Sequence, residues 1–129
     1  MPISRGQIYY IDFGPKQHGN RAIEGKHFAV VLQNEKLNRL PDYGLVVLVP
    51  ITSKKRPSPS YVEIEPTKAN GLSVVSFAKC EQVFTVDQAF LSGEPVGQVT
   101  VDQCRQIAGR AAHFALGISP EVLGAAGLL

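Results

Sequence analysis

Short β-branched and aromatic runs, each cut off by glycine, proline or asparagine, constrain this chain more than any other feature. Residues 8–13 are closed by Gly14-Pro15, and residues 28–32 by Gln33-Asn34. Residues 45–51 are the strongest run, with Pro50 near the end. Proline has no N–H to offer a neighbouring strand, so Pro50 must face an edge or a bulge. Residues 61–65 alternate, with Val62 and Ile64 inward, and residues 73–83 read as one long strand after an Asn70-Gly71 turn. Residues 14–26 are polar, contain three glycines and read as a long loop between the first two strands.

Helix starts occur twice as one tetrapeptide, Thr85-Val86-Asp87-Gln88 and Thr100-Val101-Asp102-Gln103. In both, threonine can cap the helix while glutamine bonds back to it. The first predicts a short helix ending before Gly93, the second the main helix. Val101, Cys104, Ala108, Ala111 and Ala115 step by three and four into an apolar stripe, which Ile107 and Phe114 widen and Gly117 ends. Residues 35–40 suit a short helical turn, and residues 119–129 form a tail with room for one more. The expected fold is mainly β with α (α+β): a small, strongly bent antiparallel β-sheet or barrel of five strands with a C-terminal helix. At 129 residues, 44% hydrophobic and 19% charged, the chain fits one domain over 1–129 and is too apolar for disorder.

Charge excludes little. A net charge of +2 does not by itself argue for nucleic acid. The cations do gather, with Lys16, Arg21 and Lys26 in the early loop and Lys54, Lys55 and Arg56 in a later one. Cys80 and Cys104 read as two buried thiols in a reducing compartment. There is no CxxC or His–Cys pairing to suggest zinc, no phosphate-binding glycine loop and no serine elbow. No apolar stretch has signal or transmembrane character, so a cytoplasmic protein with no membrane association is the default.

Strand alternation puts Val75, Phe77, Lys79, Glu81 and Val83 on one face of the run 73–83, with Lys79 and Glu81 roughly 7 Å apart. An ammonium and a carboxylate so spaced can flank one phosphodiester. The carboxylate can take the proton of a ribose 2′-hydroxyl, and the cation can stabilise the phosphorane and assist the leaving oxygen. On spacing alone the pair is equally a solvated salt bridge of little consequence. Thr52, ending Pro50-Ile51-Thr52-Ser53, can donate to a phosphate oxygen or bond its own turn. Tyr9, Tyr10 and Phe13 can stack on single-stranded bases or fill a core. His113 reads as structural.

Four segments in fixed order, RGQIYYIDFGP, EGKHFAVVLQN, LVVLVPITS and SFAKCEQVFTVD, resemble the MazF/PemK family of toxin endoribonucleases over nearly the whole chain. That resemblance implies a fold shared with the gyrase poison CcdB. It matches a basic-Cys-acidic-Gln segment to Lys79-Cys80-Glu81-Gln82, implying Glu81 as general base and Lys79 as general acid or charge stabiliser. It matches the family's PITS segment to Thr52 as a catalytic hydroxyl. The family's Gly-x-Arg-Pro is altered here: His27 stands at the arginine and Phe28 at the proline. His27 then acts as acid, base or phosphate donor, or holds one role while Lys26 or Arg21 supplies fixed charge. His18 and Arg21 fall in a loop that in the family covers RNA, and Ser53, Lys54 and Gln82 complete the implied RNA-binding set.

The function so implied is that of a type II toxin cutting single-stranded RNA within a short sequence. The reaction uses the 2′-hydroxyl, without metal or other cofactor, and leaves a 2′,3′-cyclic phosphate and a 5′-hydroxyl. The implied partners are RNA, an antitoxin with an acidic extended segment, and a second copy of the chain. Two alternatives stay open: a binding module, either a CcdB-like poison or a relic that only binds antitoxin, and a metal-dependent nuclease.

Overall fold

The computed structural model describes residues 3–14 and 25–127. Its spine is the run the sequence marks as strongest, β3 (Leu45–Thr52), in which only Leu45 and Val47 escape full burial. Along one side β3 pairs antiparallel with β2 (Lys26–Val31), which pairs with β1 (Gln7–Asp12), which pairs with β7 (Leu91–Gln98). Along its other side β3 pairs first with β6 (Phe84–Asp87) and then with β5 (Ser76–Lys79), which carries β4 (Tyr61–Ile64). The result is a mostly antiparallel open sheet, ordered β4-β5-β3-β2-β1-β7 with β6 beside β3. The two ends of the sheet curl towards each other, and the Gln98 N–H donates to the Ala69 carbonyl at 3.0 Å. Gly71 and Gly97 make that approach possible. A Cβ on Gly71 would sit 2.2 Å from the Val96 oxygen, and one on Gly97 2.4 Å from the Asn70 carbonyl carbon.

Both faces of the sheet are covered. On one, Ile8, Val30, Val49, Ile51, Val62 and Ile64 pack with Cys104, Ile107 and Ala111 of α2 (Val101–Phe114). On the other, Tyr9, Ile11, Ala29, Val31, Val46 and Leu48 form a second cluster against Phe13, Phe84, Val86 and Leu91. Burial on two sides explains why the central strands read as continuous apolar runs rather than alternating ones.

The Thr100 capping box forms as its spacing requires, the threonine side chain taking the Gln103 N–H and the Gln103 side chain the Thr100 N–H. Helix α1 (Glu35–Asn38) falls in the expected helical turn, and α3 (Pro120–Ala125) in the tail, capped by Ser119. Gly117 closes the end of α2 at φ +73°, and His113 Nδ1 lies 2.8 Å from the Ile118 carbonyl, a structural contact as expected. Both cysteines are buried and neither is in a disulfide.

Several expectations are corrected. Seven strands form among the described residues, not five. β7 contains Gly93, Pro95 and Gly97, residues that mask a strand in sequence and are tolerated here on a sheet edge. The first TVDQ caps no helix: Thr85 lies in β6, and Asp87 caps a single 3₁₀ turn (Gln88–Phe90) by accepting the Ala89 N–H. The buried line of α2 is Cys104, Ile107 and Ala111, whereas Val101 is 79% exposed and Ala115 lies outside the contact. The stretch 73–83 is not one strand. β3 places two residues, Val49 and Pro50, between its partners Leu48 and Ile51, while the opposite chain places five, 79–83, between Phe84 and Ala78. The ladder breaks beside Pro50, so the bulge that its missing N–H demands is supplied by the neighbouring chain.

Candidate active site

That break is where the sequence-predicted chemistry gathers. Thr52 is the last residue of β3 and pairs with Phe77, which pairs in turn with Glu63. Tyr61 pairs with Lys79. Neighbours in register share a face, and residues two apart on a strand share it too. Thr52, Phe77, Lys79 and Tyr61 therefore lie on the face away from α2, whose side of β5 is taken by Ala78. The Tyr61 and Phe77 rings lie 6.4 Å apart. One step beyond the Phe28–Ile51 pair, the same register brings His27 opposite Thr52. His27, half-buried, also pairs with Ile11.

Glu81 reaches this group differently from the way alternation suggests. β5 ends at Lys79, and the chain turns through Cys80 and Glu81, closed by the Gln82 N–H on the Lys79 carbonyl at 2.9 Å. Cys80 points into the helix-side core. Glu81 is exposed, and its Oε1 accepts a 2.6 Å hydrogen bond from the buried Ser60 hydroxyl. Gln82 Nε2 lies 3.4 Å from Oε2. The ion pairs among the described residues are Arg39–Glu35 and Arg105–Asp102, so Lys79 and Glu81 do not close the salt bridge that would make them a mere solvated pair.

Electrostatics fit a phosphate subsite. Burial, then the neighbouring Arg56, push the Lys79 ammonium below its ordinary value. Lys54 adds to that, and the Glu81 carboxylate opposes it. Tyr61 is raised by burial and by Glu81, against Arg56. Three cations, one carboxylate and one phenol thus act on one another at the end of β3. Cations without enough counter-charge are what a phosphodiester neutralises.

Thr52 is buried, and its Oγ1 accepts the Lys54 N–H at 3.1 Å. The turn role therefore holds. It leaves the hydroxyl hydrogen for donation, and no described residue takes it in a hydrogen bond. Ser53 and Lys54 follow exposed, and Lys26 is exposed opposite Asp12. His18 and Arg21 lie outside the described residues. Of the aromatic candidates for base stacking, Tyr9 is buried and Phe13 packs on Phe84 at 5.1 Å. Tyr10 is partly exposed but stands against Phe28, on the opposite face from Thr52. Sequence reasoning passed over Tyr61 and Ser60, and set Phe77 on the face of Lys79 without giving it a role. The inward alternation of Val62 and Ile64 did imply that Tyr61 faces the other way, whereas nothing marks Ser60. No three His, Cys, Asp or Glu among the described residues form a set able to hold a metal ion, and no helix there is long and apolar enough to cross a membrane.

Comparison with known proteins gives a consistent result. Residues 4–114 match the family model described as PemK-like, MazF-like toxin of type II toxin-antitoxin system. A mycobacterial endoribonuclease solved with its cognate antitoxin is similar at 25% identity and TM-score 0.68, over 89% of this chain and 95% of that one. MazF of Deinococcus radiodurans is similar in fold at 19% identity and TM-score 0.73, over 92% of this chain and 99% of that one. Mycobacterium tuberculosis toxin MazF-mt6 is similar in fold at 19% identity and TM-score 0.66, over 88% of this chain and 98% of that one.

Proposed function

This chain belongs to the PemK/MazF-like family of type II toxin–antitoxin toxins, and we propose that it is an endoribonuclease that cleaves single-stranded RNA at the end of β3. The reading rests above all on the gathering of Thr52, Lys79 and Glu81 at one break in the sheet. In the reaction, Glu81 takes the proton of the ribose 2′-hydroxyl and the 2′-oxygen forms its bond to phosphorus. The bond from phosphorus to the 5′-oxygen breaks, and Lys79 returns a proton to that oxygen. The products are a 2′,3′-cyclic phosphate and a 5′-hydroxyl, with no metal required. A lowered ammonium pKa makes Lys79 a better acid than a free lysine. Thr52 donates to a non-bridging oxygen as charge grows there. His27, in register with Thr52, holds the phosphate from the side, while Lys26, Ser53, Lys54, Gln82, His18 and Arg21 contact the RNA backbone and bases. We further propose a cytoplasmic homodimer, with RNA and an acidic antitoxin segment competing for the same groove.

The test is incubation of the pure protein with mixed-sequence RNA in EDTA. Discrete cuts are expected, and Glu81→Ala and Thr52→Ala should reduce them at least about 100-fold while both variants remain folded by circular dichroism. Cuts that vanish in EDTA alone would turn the assignment to a metal-dependent nuclease. One observation favours a second reading: His27 replaces the arginine of the family's Gly-x-Arg-Pro. Intact RNA with retained antitoxin binding would make the chain a binding module instead.

A further inference from the structure

We propose that Ser60 is the positioning residue of the general base, and that Arg110 of α2 fixes Ser60 for that task. The proposal rests on the reading of Glu81 as base. A carboxylate on an exposed turn has several rotamers, and a base must hold one of them within hydrogen-bond reach of its proton. Glu81 is held at Oε1 by the 2.6 Å bond from Ser60, a residue 3% exposed. The Ser60 proton is committed to that acceptor-only carboxylate, so the 2.7 Å contact between Ser58 Oγ and Ser60 Oγ is donated by Ser58. Among the described residues Oε2 is met by Gln82 alone, at 3.4 Å, which leaves it to receive a proton.

The serine is itself anchored from a distant part of the sequence. Arg110 Nη1 donates to the Pro59 carbonyl at 2.8 Å and to the Tyr61 carbonyl at 3.0 Å, the residues on either side of Ser60. Helix α2 thereby sets the loop, the loop sets the serine, and the serine sets the Glu81 carboxylate. The titratable and charged groups around Glu81 are Lys79 on β5, Tyr61 on β4, Cys80 in the turn and Arg110 on α2, with Arg56 and Lys54 beyond Lys79. None of the hydrogen bonds described to Glu81 comes from these groups, so Ser60 is the direct donor to remove.

The experiment compares wild type, Ser60→Ala, Ser60→Thr, Arg110→Met and Glu81→Ala in the kcat and KM of RNA cleavage. Ser60→Ala should lower kcat about 10-fold or more with KM little changed, as expected for one lost hydrogen bond to a charged group. Ser60→Thr keeps the hydroxyl and should recover most of kcat. Arg110→Met keeps the serine hydroxyl but removes the anchor of its loop, should lower kcat by a smaller factor, and serves if Ser60→Ala does not fold. If Glu81→Ala is inactive while Ser60→Ala and Arg110→Met keep the wild-type kcat, the positioning role is wrong and the base assignment stands. If Glu81→Ala cuts as fast as wild type, or the wild type does not cut RNA, the reading of the site fails and takes the Ser60 proposal with it.

Discussion

At the scale of single residues, Lys79 shows how a site can oppose the fold. Its ammonium is disfavoured by burial and by Arg56 and Lys54, with Glu81 offsetting only part. The native pKa is thus below the unfolded one, and the charged form costs stability. That cost is fully present below the native pKa and disappears as pH rises to the unfolded value of 10.5. Lys79→Met should therefore abolish cleavage and raise the neutral-pH unfolding midpoint in urea. Solvent screening of a half-exposed group keeps the gain below about 1 kcal/mol. A destabilised Lys79→Met would mean that the cation cluster is balanced without substrate.

At the scale of elements, the decisive unit is the bent segment from β5 through the Cys80-Glu81 turn into β6. It carries the Glu81 carboxylate because Pro50, paired with Ala29 of β2, has no ladder partner on the β5–β6 side of β3. The other end of the sheet depends on close backbone contact between the loop at Gly71 and β7. Gly71 lies at φ +71°, and a methyl group there would collide with the Val96 carbonyl. Gly71→Ala should cost about 2 kcal/mol or more, measured by chemical denaturation, because both the backbone region and the space refuse it. Gly93→Ala, also at positive φ but with open space around it, should cost less.

At the scale of the whole molecule, two apolar clusters sandwich the sheet, and Cys80 lies in the one shared with α2. Burial pushes its thiol up to about 12, against an ordinary value of 9.0. The native state keeps that proton in a range where the unfolded chain has lost it. Its contribution to stability therefore falls as pH rises from about 9 to about 12, by at most about 1.4 kcal/mol per pH unit. Cys80→Ala should show a shallower loss of stability over that window than wild type. The wild-type thiol should also resist alkylation until the protein unfolds, which mass spectrometry after denaturant titration would detect.

The sequence by itself determined the punctuated strands, the capped main helix and the residue types of the site. Each of those depends on local facts: period, cap chemistry, and which side chains can move a proton. It also placed Thr52 at a strand end, where it stands, whereas Lys79 was read inside a longer strand that in fact ends with it. What tertiary structure alone decided is how Glu81 joins them. Alternation along an unbroken strand would have aimed it by period, but the partner strand breaks the ladder at Pro50 and the chain turns instead. The Glu81 carboxylate is then aimed by a serine 21 residues away and a helix arginine further still. Such contacts exist only after the sheet has curled and α2 has docked, so no local pattern encodes them.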